Sequence, residues 1–261
     1  MKAAREPAPQ LPSLALGFLA LVPLIVAHEW GAGLESRRIV NFAAVLLALP
    51  LLPLGEHALV ASWVIYGLLA VLSLVLLFRD DYALVPRLLR VLGEGALGAV
   101  VLGPLLVFLC WLLQLTGAGG AVLRSGAPAQ APPLALVGVL CGGAAFEEIV
   151  FRLGVLSLAY LCLRRGLLAL RAPERPATLA AAVLALFVSA LVFAAAHLDI
   201  VVGRIAGAGG EPFQAAVFAW RVLAGVLLGI LFRWRGMGVA AWAHALFNLA
   251  LYIGAGPDVF L

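Results

Sequence analysis

The stretch ALVASWVIYGLLAVLSLVLLF, residues 58–78, contains no charged side chain and decides what kind of fold the chain can have. About 20 consecutive apolar residues in an α-helix are enough to cross the hydrocarbon core of a bilayer. Residues 58–78 therefore predict a transmembrane helix. Seven further apolar runs predict spans of the same kind: Leu11–Ala27, Ile39–Leu54, Gly95–Leu115, Leu134–Leu163, Ala177–Ala196, Ala215–Trp234 and Met237–Gly254. The run Ile39–Leu54 is shorter and contains Pro50 and Pro53, so we expect a kinked or tilted helix there.

The composition of the whole chain agrees with a membrane protein. Of the 261 residues, 65% are hydrophobic and only 11% are charged. Because a helix satisfies its own backbone hydrogen bonds, which lipid cannot do for it, the runs predict an all-α, polytopic membrane protein with about eight transmembrane helices. The three cysteines lie inside apolar runs and form no disulfide or metal-binding pattern. A net charge of +4 indicates no nucleic-acid partner, and the bilayer itself is the expected partner.

Lysine and arginine are unevenly divided between the two sides of the predicted bundle. When the eight runs alternate across the membrane, one side carries eleven of the 17 basic residues: Arg37, Arg38, Arg79, Arg87, Arg90, Arg164, Arg165, Arg171, Arg175, Arg233 and Arg235. The other side carries four, namely Lys2, Arg5, Arg124 and Arg204. Positively charged loops stay in the cytoplasm, so this arrangement predicts that both termini face outside.

Three connecting segments have a composition of their own. Residues 79–94 predict a short interfacial amphipathic segment on the basic side. Residues 117–133 and 203–212 are rich in glycine and predict loops on the opposite side. The sequence shows no internal repeat and no soluble domain.

A few polar side chains lie within or at the ends of the apolar runs: Glu147, Glu148, Arg152, His197, Arg221, His244 and Asn248. A charged group at bilayer depth costs about 2.5–3.5 kcal/mol, so such groups are expected to serve a function. The alternative is that they form interhelical hydrogen bonds that only hold the bundle together. We interpret Arg221 in this second way, as a side chain that reaches the interface or pairs with a glutamate.

The spacing of these groups indicates which of them act together. Glu148 and Arg152 are four residues apart, so they lie on one face of a helix and can pair. Glu147 lies about 100° further round the helix, which makes it the carboxylate without a partner. His244 and Asn248 are also four residues apart, and they present an imidazole and an amide to one side of the last run.

This set of groups suits hydrolysis of a peptide bond without a nucleophilic side chain. A carboxylate near a histidine can activate water as a general base, and a second histidine with an amide can stabilise the oxyanion. Other intramembrane proteolytic sites lack their parts here. Ala32 stands where a His-Glu-x-x-His motif that begins at His28 needs its second histidine. The only lysine in the sequence is Lys2, which excludes a serine–lysine dyad.

Three motifs, on the fifth, sixth and eighth apolar runs, resemble those of a known family. The motifs are Glu147-Glu148-x-x-x-Arg152, Phe193-x-x-x-His197 and His244-x-x-x-Asn248. In this order they resemble the motifs of the CPBP family, the CAAX-protease and bacteriocin-processing intramembrane endopeptidases, also called the abortive-infection domain. The resemblance covers residues 134–254, which implies a catalytic helical core there. It leaves amino-terminal helices without a signature in residues 1–133 and a short tail in residues 255–261.

The resemblance implies an eight-helix protease with a cavity open to one face of the membrane. It assigns three roles: activation of the water to Glu147 and His197, stabilisation of the oxyanion to His244 and Asn248, and structural support to Glu148 and Arg152. Some accounts of the family give Glu147, His197 and His244 to a zinc ion instead, with an open fourth position. We expect metal-free catalysis without a cofactor, because no second carboxylate is visibly placed to orient either histidine.

The reaction of the family does not fix the substrate, so the resemblance leaves three functions open. The first is cleavage of a membrane-anchored protein or peptide, such as the C-terminal sorting tail of an exported protein, as in myxosortase-type members. The second is CAAX prenyl endopeptidase activity at the cytoplasmic face. The third is a non-catalytic membrane scaffold or bacteriocin-immunity protein. Because the charge bias places Glu147, His197, His244 and Asn248 in the outer half of the bilayer, we expect the first, in a bacterial inner membrane.

Overall fold

A computed structural model describes residues 11–34, 41–78, 83–115, 133–206 and 210–255 of the chain. Within these ranges the regular structure is helical, apart from one isolated β-bridge between Leu198 and Glu211. The predicted all-α class is therefore confirmed.

The described residues form a bundle of helices. In chain order these are α1 (Leu11–Leu34), α2 (Phe42–Ala48), a 3₁₀ helix (Leu49–His57), α3 (Ala58–Phe78), α4 (Leu84–Leu112), α5 (Pro133–Glu147), a π-helical segment (Glu148–Leu156), α6 (Ser157–Ala169), α7 (Glu174–Ala195), α8 (Asp199–Ala206), α9 (Ala215–Arg235) and α10 (Met237–Ala255). The segments α5, π and α6 follow one another without a break, so they form one long helical element.

The predicted count of eight spans is not confirmed. Among the described residues, six helices are long and apolar enough to cross a membrane, and Met237–Ile253 is a shorter apolar helix. The difference lies in Ile39–Leu54, where the structure has only the seven-residue α2 and part of the 3₁₀ helix. Pro50 and Pro53 account for this, because proline removes a backbone donor and disfavours an α-helix interior. At Gly55 a positive φ of 58° turns the chain before α3 begins.

The predicted connecting segments are partly helical. Residues 84–94 form the first turns of α4 instead of a separate interfacial segment, and residues 79–82 lie outside the described ranges. Glu94 lies within α4 and forms ion pairs with Arg90 on the same helix and with Arg235 on α9. The prediction for 203–212 is also wrong in part, because residues 203–206 belong to α8, and residues 207–209 are outside the description. The predicted loop 117–133 lies outside the described residues up to residue 132.

Close contacts between helices fix the direction in which each helix runs. Gly31 of α1 packs against Ala135 of α5 whereas Gly142 of α5 packs against Leu24, so these two helices are antiparallel. Contacts of the same kind show that α4 and α10 run parallel to α1, and that α3 and α9 run opposite to it. Helix α7 is antiparallel to both α6 and α9. Helices α1, α4, α7 and α10 all finish at the same end of the bundle, which we call the "site end".

The best-packed part of the bundle surrounds the middle of α5 and α10. Apolar side chains from α1, α5, the π segment and α10 are fully buried there, among them Leu21, Phe146, Phe151 and Ala241. By contrast, α3 and α4 expose many leucine, valine and aromatic side chains on their outer faces, as helices in contact with lipid do. The chain is therefore a multi-pass integral membrane protein with a tightly packed centre.

Candidate active site

The helix that carries the two glutamates changes its winding at the site. Helix α5 ends at Glu147, and Glu148–Leu156 continue as a π-helix. The hydroxyl of Ser189 on α7 donates to the carbonyl of Phe151 at 2.7 Å, so a neighbouring helix supports this irregular backbone. π-Helical turns are rare and occur frequently at functional sites. The motif spacing did not predict this one.

Both glutamates of the first motif face the same imidazole, that of His244 on α10. Glu148 Oε1 lies 3.0 Å from His244 Nδ1 and accepts a hydrogen bond from it. Glu147 Oε2 lies 3.6 Å from His244 Nε2 on the other side of the ring. The expectation that no second carboxylate orients a histidine is therefore wrong. The sequence could not indicate this contact, because it depends on the packing of α10, which brings the two ring nitrogens of His244 to Glu148 and Glu147.

Glu148 also pairs with Arg152, and both side chains are fully buried. Glu148 Oε2 lies 3.4 Å from Arg152 Nε, the neighbour that the four-residue spacing indicated. The guanidinium lies over the ring of Phe193 at 4.5 Å from the ring centroid, which adds a cation–π contact. Within the described ranges, the guanidinium nitrogens have no hydrogen-bond partner, so Glu148 supplies the nearest compensating charge.

His197 lies in the turn after α7, beyond the last residue of the span Glu174–Ala195. Its Nδ1 is 2.8 Å from the carbonyl oxygen of Phe193 and donates to it, which leaves Nε2 as an acceptor. The ring of Phe193 contacts both His197, at 4.9 Å between centroids, and His244, at 6.0 Å. Desolvation, followed by the charge of Arg221, lowers the pKa of His197 well below its usual value, so the imidazole is neutral near pH 7.

The predicted partnership of Glu147 with His197 has no direct contact in the structure. The described residues include no hydrogen bond between the two side chains, and the imidazole beside Glu147 is that of His244. Phe193 lies between His197 and His244, so all three motifs do meet in one cluster. The structure thus brings the predicted residues together, whereas their individual roles stay predictions.

Asn248 lies one turn beyond His244 on α10. Its side-chain amide donates to the carbonyl oxygen of Leu140 on α5 at 3.2 Å. An asparagine amide has two N–H donors, so one remains for a substrate. The bond to Leu140 also fixes the direction in which that second donor points.

Asn41 is the site residue that sequence reasoning missed. Its Nδ2 donates to Glu147 Oε1 at 2.9 Å, although the two residues are 106 positions apart. The sequence contains one signal for Asn41, because an asparagine followed by apolar residues, here those of Phe42–Ala48, is a common helix N-cap. That signal predicts the cap on α2, which the structure has, and gives no indication of the contact with Glu147.

Arg221 pairs with a glutamate, as the structural interpretation of this residue predicted. The partner is Glu211, which is buried just before α9. The backbone N–H of Glu211 donates to the carbonyl of His197 at 2.8 Å, so this segment is tied to the turn that carries His197. The Arg221–Glu211 pair therefore lies beside the turn that carries His197.

A zinc ion held by Glu147, His197 and His244 needs three ligand atoms that converge on one point. In the part of the chain that the structure describes, no three histidine, cysteine, aspartate or glutamate side chains are arranged to hold a metal. The side-chain arrangement therefore does not fit the three-ligand site that some accounts of the family imply. Catalysis without a metal stays a prediction that activity measurements must test.

The helical membrane bundle, its buried carboxylate–imidazole cluster and a family match place the chain in the class of intramembrane endopeptidases. Residues 129–250 match the family model described as Type II CAAX prenyl endopeptidase Rce1-like. This match confirms the resemblance of the three motifs to the CPBP family. No curated protein and no solved structure matches the chain. The family implies a membrane-anchored protein or peptide as substrate.

Replacement of Asn248 by alanine is expected to lower the cleavage rate by about 10²–10³-fold, the usual loss when one oxyanion donor is removed. The amount of folded protein should change little, because the carbonyl of Leu140 remains in its helix. Initial rates with a membrane-anchored peptide, compared at equal protein concentration, measure this effect. A loss of folded protein that accounts for the whole change would instead assign Asn248 to helix packing.

Proposed function

We propose that this chain hydrolyses a peptide bond in a membrane-anchored substrate with a water molecule that Glu147 activates. Glu147 takes a proton from the water while His197 accepts a hydrogen bond from it, and the water oxygen bonds to the peptide carbonyl carbon. The oxyanion accepts hydrogen bonds from His244 and Asn248. Glu147 then returns the proton to the leaving nitrogen as the C–N bond breaks.

The observation that carries this proposal is that one oxygen of the Glu147 carboxylate is hydrogen-bonded and the other is not. Oε1 accepts a hydrogen bond from Asn41 at 2.9 Å, whereas Oε2 is 3.6 Å from His244 Nε2, too far for a direct bond. One carboxylate oxygen is thus held in place and the other is left for a third group. This is the arrangement that a general base needs.

The hydrogen bonds of the two histidines favour different roles for them. Nδ1 of His197 donates to a backbone carbonyl, so the neutral ring keeps an acceptor nitrogen for the water. Nδ1 of His244 donates to Glu148, so its Nε2 donates to an oxyanion only when both nitrogens carry a proton.

The direction of the helices supports a site that opens outside the cytoplasm. In the sequence Lys2 and Arg5 come before α1, which begins at the end opposite the site, and Arg37 and Arg38 come after α1, which finishes at the site end. Compared with the prediction from eight spans, Lys2 and Arg5 change sides with Arg37 and Arg38. One end of the bundle is therefore still assigned eleven basic residues and the other end four. The site end carries four, and by the positive-inside rule it faces outside. The same rule assigns the start of α1 to the cytoplasmic side, in contrast to the outside position that the sequence predicted for the amino terminus.

A site that opens outside favours an exported protein as the substrate. The anchor of such a protein reaches the outer half of a bacterial inner membrane, whereas a prenylated cytosolic tail does not. We therefore propose a role like that of the myxosortase type, in which a C-terminal sorting tail is removed. CAAX prenyl endopeptidase activity at the cytoplasmic face is the alternative, since the family match carries that description.

Labelling of single cysteines tests which side the site end faces. In a background in which Cys110, Cys141 and Cys162 are replaced by alanine, we expect Gln214→Cys to react with a membrane-impermeant maleimide in intact cells. Leu170→Cys, at the opposite end, should react only after permeabilisation. Both positions are exposed in the structure, so access to the reagent depends on the side of the membrane. The reverse pattern would replace the exported substrate by the CAAX-type alternative.

A further inference from the structure

Asn41 is attached to α2 by the same side chain that contacts Glu147. Its Oδ1 accepts a hydrogen bond from the backbone N–H of Ala44 at 3.0 Å and so caps the helix. This bond fixes which end of the amide is the oxygen, and the N–H₂ end then faces Glu147. The Glu147 side chain is only 13% exposed, so the contact is sheltered from water. The orientation of Asn41 is thus determined by the fold of α2.

The glycine at position 143 provides the space that Asn41 occupies. A Cβ added to Gly143 would lie 2.6 Å from Asn41 Nδ2, closer than such atoms approach in proteins. The Asn41 amide is the flexible end of a side chain, so it would move away and weaken its bond with Glu147. Glycine at position 143 therefore leaves room for the Asn41 amide beside Glu147.

We propose that Asn41 is a positioning residue that holds the Glu147 carboxylate in the orientation required for catalysis. This inference rests on the proposed role of Glu147 as the general base. Asn41 occupies Oε1, so Oε2 is the oxygen that faces His244 and is left for the water in the proposed mechanism. A buried carboxylate without this donor can rotate and exchange its two oxygens. Because Asn41 lies outside residues 129–250, the amino-terminal helices supply a part of the site that the matched segment lacks.

Replacement of Asn41 by serine separates the two functions of the side chain. Serine still caps α2, since its hydroxyl accepts from the backbone, but it is too short to reach Glu147. We expect kcat to fall about 10- to 100-fold in Asn41→Ser, with KM and the amount of folded protein unchanged. Asn41→Ala should lose the same factor in kcat and also lower thermal stability. Full activity in Asn41→Ser together with a loss in Asn41→Ala would show that only the cap matters and would overturn the proposal.

Gly143→Ala tests the same contact from the other side. In the chain with Asn41, this substitution should lower kcat by a factor similar to that of Asn41→Ser. In the Asn41→Ser background, it should cause no further loss, since the amide that it displaces is already gone. Gly166→Ala on α6 is the matched control, because no atom lies within 4 Å of an added Cβ there. Equal losses from Gly143→Ala in both backgrounds would contradict the proposal.

An infrared measurement tests the contact independently of any peptidase activity. The difference between the spectra of the wild type and Glu147→Gln isolates the bands of the Glu147 carboxyl group. We expect these bands to shift in Asn41→Ser and to stay unchanged in Gly166→Ala. Unchanged bands in Asn41→Ser would overturn the contact itself. If the wild type cleaves no substrate but the bands shift, the proposed function fails while the positioning of Glu147 by Asn41 stands.

Discussion

Glu147→Gln is expected to abolish cleavage, with a rate at least about 10⁴-fold below that of the wild type, while the protein still accumulates in the membrane. Glutamine keeps the size of the side chain and can still accept the hydrogen bond from Asn41, but it cannot take a proton from water. His244→Ala and His197→Ala should each abolish cleavage as well, because the donor to the oxyanion or the acceptor for the water is lost. The fraction of a membrane-anchored reporter that is cleaved in cells measures the effect.

The amount and the thermal stability of each variant decide what a loss of cleavage means. Folded protein at wild-type level without cleavage supports the catalytic role of the three residues. A parallel loss of folded protein in all three variants would mean that these groups only hold the bundle together. Full activity of Glu147→Gln would contradict the proposed role of Glu147 as the base. If the wild type itself is inactive, a scaffold or immunity function would account for that result.

Arg152→Ala is expected to destabilise the protein by about 3–5 kcal/mol, the usual cost when a buried charge loses its partner. Glu148 is fully buried, so removal of Arg152 leaves its carboxylate with His244 as its remaining partner. The contact with the ring of Phe193 is lost at the same time. The fall in unfolding temperature in detergent should be larger than that of Glu147→Gln, because glutamine keeps the shape of the side chain and leaves the Glu148–Arg152 pair intact.

Two comparisons separate this effect from a general cost of removing an arginine. Arg90→Ala removes an arginine that is 70% exposed from its pair with Glu94, so we expect a change of about 1 kcal/mol or less. Addition of Glu148→Gln to Arg152→Ala should recover part of the lost stability, because the unpaired buried charge is then removed. A larger loss in Glu147→Gln than in Arg152→Ala would mean that the roles of the two glutamates are exchanged.

The sequence was sufficient for those features that depend on neighbouring residues. Apolar runs of about 20 residues predict helices because lipid leaves the backbone no alternative. The pairing of Glu148 with Arg152 followed from their four-residue spacing. The family model confirms the resemblance that the three motifs carried.

Features that depend on distant parts of the chain could not be predicted in this way. Glu148 bonds to His244, 96 positions away, and Glu147 to Asn41, 106 positions away, and neither contact has a local signal. The π-helical turn at Glu148 depends on support from α7. The run Ile39–Leu54 was apolar enough for a span, yet its two prolines favour a short helix and a 3₁₀ segment.

We propose above that Glu147 activates water for hydrolysis of a peptide bond within the membrane. The most direct test uses purified protein in lipid vesicles that contain a metal chelator, so that no other protease and no free divalent ion takes part. A membrane-anchored peptide is added to vesicles with the wild type or Glu147→Gln, and the products are identified by mass spectrometry. We predict cleavage at one bond with the wild type and none with Glu147→Gln. Cleavage at the same bond and rate with Glu147→Gln would contradict the account.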